Sequence, residues 1–115
     1  MFKGKRVFVF GAGIGGLGAA KVLVRERALI TLYDEKKIII SDKDDGCLLT
    51  GGVVLSTVTP AEDFCRSFDF FVLSHGVPIT HPLVNKAREA GLEIIDGIRL
   101  TAQLASDSGE TFAIA

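Results

Sequence analysis

The chain has 115 residues, 48% of them hydrophobic, with 13 Lys and Arg against 14 Asp and Glu for a formal net charge of −1. That is room for one domain, residues 1–115, with ample material for a core. The interleaved charges leave no basic stripe for nucleic acid, and no apolar stretch approaches the roughly 20 residues of a membrane span.

Lys3, Lys5 and Arg6 precede an apolar run that imitates a signal peptide. Glycines break the run and no small-residue cleavage site follows, so a buried first strand is the better reading. "RVFVF", Arg6 to Phe10, is continuously apolar after its arginine, as a strand covered on both faces is. Ile14 to about Arg25 predicts a helix that packs through Ala19, Ala20, Val22 and Leu23, and "ALITLY" predicts a second strand ending at Asp34. From Lys36 to Gly52 the pattern is ambiguous: "KIIIS" reads as a strand or as an apolar patch, and "DKDDG" as a turn or exposed loop.

Gly52 to Ser56 predicts a third strand, "AEDFC" after Pro60 a short helix, and Phe68 to Ser74 a fourth strand. Thr80 is placed to cap a helix with Pro82 in its first turn and Gly91 at its end. "LEIID" reads as a fifth strand, "GIRLTAQLAS" as a helix and "TFAIA" as a last apolar strand, which suggests a piece of a longer protein. This alternation predicts a Rossmann-like, doubly wound, mainly parallel α/β sheet of about five strands with helices on both faces.

The chemistry concentrates at "GAGIGGLGAA". A strand feeding directly into a helix leaves the first helical N–H groups unpaired at the positive end of the dipole. Gly11 permits a tight turn, Gly13 lets a phosphate approach the backbone, and Gly16 lets helix and strand pack closely. A pyrophosphate suits such a turn. Asp34 follows Gly16 by 18 residues, where an acid that binds a ribose sits in dinucleotide folds. These residues alone leave a nicotinamide dinucleotide, a flavin and a UDP-sugar open.

Other candidates read as structural. Cys47 and Cys65 lack metal or disulfide spacing and read as buried or neutral thiols of a reducing cytoplasm. Asp42, Asp44 and Asp45 lack the spacing and distal Glu of a calcium loop. Ser74 lacks a nucleophile elbow. Phe64, Phe68, Phe70 and Phe71 read as core, and His81 before Pro82 as a residue that shapes the start of a helix. No catalytic residue and no metal site is expected.

The segment from Phe68 onward carries a resemblance. Ser74-His75-Gly76, Val77-Pro78, His81-Pro82, Glu89-Ala90-Gly91 and Asp96-Gly97-Ile98-Arg99-Leu100 stand where the Mur ligases have a Ser-Pro-Gly turn, an Ile/Val-Pro pair, a His-Pro helix start, an "EAG" helix end and a "GDIEL" helix opening. The chain resembles their N-terminal domain over almost its whole length, most closely in the branch that adds D-glutamate to UDP-N-acetylmuramoyl-L-alanine, and most weakly from Lys36 to Leu55. His75 in place of proline, Gly15 in place of a hydroxyl and Arg99 in place of an acid are departures.

The resemblance implies a cytoplasmic ligase of peptidoglycan synthesis. Its ATP, Mg2+ and catalysis would belong to central and C-terminal domains outside this chain, the first of them opening on a glycine loop after "TFAIA". It further implies that Ile14, Gly15 and Gly16 meet the diphosphate of UDP-N-acetylmuramoyl-L-alanine. Asp34, Glu35 and Lys36 would embrace the uracil, and Ser74, His75 and Gly76 would close over the base or ribose. The other readings are an NAD(P)- or FAD-binding module of an oxidoreductase and a regulatory nucleotide-sensing domain.

Overall fold

The computed structural model describes residues 2–40, 46–48 and 50–107. The strands are β1 (Arg6–Phe10), β2 (Leu29–Tyr33), β3 (Val54–Ser56), β4 (Phe70–Leu73) and β5 (Glu93–Asp96). The main helices are α1 (Ile14–Arg25), α2 (Pro82–Glu89) and α3 (Gly97–Asp107); residues 46–48 and 50 are also helical, and a 3-10 turn covers Phe64–Ser67 before β4. The strands form one parallel sheet in the order β3-β2-β1-β4-β5. The chain therefore winds outward from β1 to β3, then crosses back to β4 on the other side of β1, as a doubly wound Rossmann-like sheet does.

The side chains of β1 alternate between two apolar layers. Val7 and Val9 join Ala19, Ala20 and Leu23 of α1 with Leu100 and Leu104 of α3. Phe8 and Phe10 face the other way, onto Tyr33, Phe64, Phe71 and the α2 residues Leu83, Val84 and Ala87. Both layers are buried, which accounts for the unbroken apolar run from Val7 to Phe10. Phe8 is the hub of its layer, with the rings of Phe64, Phe68, Phe71 and Tyr33 at centroid distances of 5.0, 5.1, 5.3 and 5.6 Å. Of the four phenylalanines read as core, Phe64 and Phe71 are buried, while Phe68 and Phe70 pack half-buried against the two layers.

Several boundaries differ from the sequence pattern. β3 begins at Val54, and residues 37–40 of "KIIIS" form no strand, because β3 already occupies the place beside β2. Ile40 packs against the core while Ile39 is 76% exposed. The helix expected after Pro60 is a 3-10 turn displaced toward β4, closed by bonds such as Arg66 N–H to the Asp63 carbonyl, with Phe64 buried under it. His81, not Thr80, caps α2: its ring nitrogen accepts from the Leu83 N–H, with Pro82 in the first turn. Cys47 is exposed and Cys65 half-buried, where burial raises the thiol's pKa. "TFAIA" and residues 42–45 of "DKDDG" lie outside the described residues.

At the amino edge of the sheet, Asp69 joins β4 to β1. Its carboxylate accepts from the Arg6 backbone N–H at 2.9 Å and from the guanidinium at 3.2 and 3.3 Å. The side-chain bond from Arg6, followed by the backbone bond, holds the Asp69 carboxyl below its ordinary value. A carboxyl lowered by folding stabilises the native state above its unfolded pKa and loses that contribution as pH falls through the lowered value. Asp69→Asn is therefore expected to lower the urea midpoint at pH 7 and to flatten its decline between pH about 5 and 2. Parallel curves for the variant and the wild type would contradict this.

Candidate functional site

The sheet register sets the site. Phe10 lies opposite Tyr33 on one side and Leu73 on the other, so the three residues that follow, Gly11, Asp34 and Ser74, emerge level with one another at the carboxyl edge. The backbone continues the ladder there: Gly11 N–H donates to the Tyr33 carbonyl at 2.7 Å and Ser74 N–H to the Phe10 carbonyl at 3.1 Å.

Gly11 has φ +102°, a conformation that side chains disfavour. A Cβ on Gly16 would lie 1.6 Å from the Gly11 carbonyl oxygen, because the first turn of α1 packs directly on the end of β1. Ser74, 4% exposed, donates its hydroxyl to that same oxygen at 2.9 Å. Its side chain is thus engaged inside the protein, locking the turn after β4 to the turn after β1. Gly13, the N-cap of α1, makes no side-chain cap bond, and no acid stands in the first turn. The N–H groups at Ile14, Gly15 and Gly16 are the ones that helix geometry leaves without a helical acceptor. A Cβ on Gly13 would meet nothing within 4 Å, so no packing in the protein demands glycine at that position.

Asp34 turns back toward the glycine turn. One carboxylate oxygen accepts from Ala12 N–H and the other from Lys36 N–H, both at 2.8 Å. It fixes the glycine turn and its own loop together. Glu35, Lys36 and Lys37 line a cleft of about 500 Å³ with Ile38, Leu55, Ser56 and Thr57, at the carboxyl ends of β2 and β3. A second cleft of about 370 Å³ lies across the glycine turn, at the ends of β4 and β5. Ser74, His75, Gly76, Ile79, Asp96 and Arg99 are among its lining residues.

His75 is exposed, and its backbone N would lie 3.9 Å from a Cβ on Gly15, so the two turns face each other. Asp96 accepts from the N–H groups of Ile98 and Arg99 and caps α3. The sequence-predicted residues thus come together as one edge with two clefts. Ser56 and Thr57 join them without a motif of their own, and Asp96 joins from the helix-opening motif; only the strand order brings them in. Among the described residues no cluster of His, Cys, Asp and Glu is placed to hold a metal ion, and no helix is long and apolar enough to cross a membrane.

The family described as Mur ligase MurD-like, N-terminal domain, matches residues 5–96. The chain belongs to this family. The MurD-like domain is 35% identical over 101 residues to a UDP-N-acetylmuramoylalanine–D-glutamate ligase of Koribacter versatilis, covering 88% of this chain and 22% of that protein. It is 37% identical over 113 residues to the enzyme of the same name from Phenylobacterium zucineum, covering 95% of this chain and 23% of that protein. The MurD-like chain therefore spans less than a quarter of the length of these curated relatives. In fold it is similar to a murein peptide ligase from Psychrobacter arcticus, with a TM-score of 0.68 at 15% identity over 87% of this chain and 20% of that one. It is also similar to the precorrin-2 dehydrogenase SirC, with a TM-score of 0.56 at 20% identity over 81% of this chain and 44% of that one.

Two sets of substitutions test the edge. Gly16→Ala is expected to cost about 3 kcal/mol or more, because backbone cannot yield to the added methyl. Gly18→Ala, where a Cβ meets nothing within 4 Å, is expected to stabilise the helix by about 0.5–1 kcal/mol. Denaturant melts of both variants check the contrast. Ser74→Ala is expected to cost about 1–2 kcal/mol by leaving the Gly11 carbonyl short of a donor.

Proposed function

We propose that this chain is the N-terminal, nucleotide-holding domain, residues 1–115, of a cytoplasmic D-glutamate-adding ligase of peptidoglycan synthesis. It binds the UDP end of UDP-N-acetylmuramoyl-L-alanine. The observation that carries the reading is the uncapped start of α1, set level with Asp34 and Ser74 at the strand-order reversal and flanked by a cleft on each side. Open parallel sheets bind ligands at that place.

The N–H groups of Ile14, Gly15 and Gly16 receive the diphosphate, where aligned backbone dipoles favour negative charge. Gly11 and Gly13 supply the turn and the room in front of it. The loop of Asp34, Glu35 and Lys36 takes the uracil in the larger cleft, with Lys36 adding a positive charge near the phosphates. Ser74 holds the opposite turn in place, and His75 and Gly76 present it to the base or ribose. Asp34 and Ser74 act mainly by fixing loops, since their side chains already bond to backbone at 2.8 and 2.9 Å.

ATP and Mg2+ belong to the rest of the ligase in this reading. The sequence has no Gly-x-x-x-x-Gly-Lys loop to cradle ATP phosphates, and the described residues group no acids for a cation. The chain binds and positions; the ligase's remaining domains perform the chemistry.

Calorimetric titration with UDP-N-acetylmuramoyl-L-alanine, run beside NADH, NADPH and FAD, tests the reading. Binding is expected for the UDP compound alone. Gly13→Val is expected to lower stability by only about 1 kcal/mol while weakening UDP binding about tenfold or more, by blocking the approach to the α1 N–H groups. Binding of a dinucleotide with no response to the UDP compound would return the chain to the oxidoreductase reading.

A further inference from the structure

His81 does more than begin α2. Its Nδ1 accepts from the Leu83 N–H at 3.1 Å, so in this arrangement the ring proton sits on Nε2. Nε2 meets the Glu35 carboxylate at 2.9 Å. The imidazole stands edge-on to the Phe10 ring, with centroids 4.7 Å apart and planes at 90°. Its side chain is 18% exposed against 56% for Glu35. His81 is therefore held on three sides, by the α2 backbone, by a core ring and by its acidic partner, whereas the Glu35 side chain is more than half exposed.

This bond spans the strand-order reversal. Glu35 lines the cleft at β2 and β3, and His81 ends the loop that begins at Ser74 and lines the cleft at β4 and β5. We infer that His81 is a positioning residue for the nucleotide cleft: anchored on α2 and Phe10, it fixes Glu35 and so preforms the 34–36 loop before ligand arrives. The inference rests on the nucleotide reading above and adds a residue to it. Asp34 secures the loop from the glycine turn, through Ala12 and Lys36; His81 secures it from the opposite layer of the sheet. Preforming a loop spares the ligand the entropy of ordering it.

The test measures UDP affinity in the wild-type chain, His81→Asn, Glu35→Ala and the double variant. Asparagine is a good helix cap but is too short to reach Glu35. His81→Asn is expected to weaken UDP binding about fivefold with its melting transition retained, and to add nothing in the Glu35→Ala background. Wild-type affinity in His81→Asn, or the same loss in both backgrounds, would overturn the inference.

Amide hydrogen exchange at Lys36 in the ligand-free chain gives an independent reading. Exchange is expected to quicken in Glu35→Ala, which alters only an exposed side chain and serves if His81→Asn does not fold. Unchanged exchange would overturn the tie. If the wild-type chain binds no UDP, the nucleotide reading fails and the positioning role with it, while exchange at Lys36 still decides whether the tie exists.

Discussion

The contact on which the rest of this edge depends is that of the Gly11 carbonyl oxygen with the α-carbon of Gly16. There a helix turns back onto its own strand with no side chain between them. That closeness brings the start of α1 down to the level of the sheet, so its first N–H groups open onto the carboxyl edge and not into bulk solvent above it. The Ser74 hydroxyl then fastens to the same oxygen from β4. One carbonyl thus accepts the packing of a helix and the hydrogen bond of a neighbouring loop. A methyl group at position 16 would break both, since backbone atoms on either side have nowhere to move.

Around this lock the loops are set by bonds within the chain. Asp34 reaches back to Ala12 and forward to Lys36; Asp96 closes the start of α3; His81 caps α2 and reaches Glu35. Buried polar groups at such an edge must find partners, and here the partners are the backbones of adjacent turns. The side chains that look like ligand contacts therefore serve in part as struts. What remains open at this edge is the uncapped start of α1 with a cleft on each side, one lined by Glu35, Lys36 and Lys37 and the other by His75, Asp96 and Arg99.

Much of this was legible in the sequence for local reasons. "RVFVF" and "FFVL" are apolar on both faces because both faces are covered, and periodicity reports coverage directly. The glycines of "GAGIGGLGAA" report a steric demand that is fully local: Gly11 turns the chain and Gly16 admits the strand. Other features were not legible. "KIIIS" has the composition of a strand, yet the place beside β2 belongs to β3, and composition does not say which of two candidates wins an edge. Thr80 and His81 are both competent caps, and the choice fell to the residue whose ring also packs on Phe10, a contact made across the sheet.

The sequence by itself determined the class of the fold, the glycine turn between β1 and α1 and the family, since each is written in short-range pattern. Only the tertiary structure decided that Asp34 and Ser74 spend their side chains on the glycine turn, that two clefts flank it, and that His81 holds Glu35. The reason is strand order. Residues 34, 74 and 81 become neighbours of the turn after β1 only once β2 and β4 have paired on either side of it, and that pairing is set by the packing of whole layers, not by any stretch of chain a pattern can span.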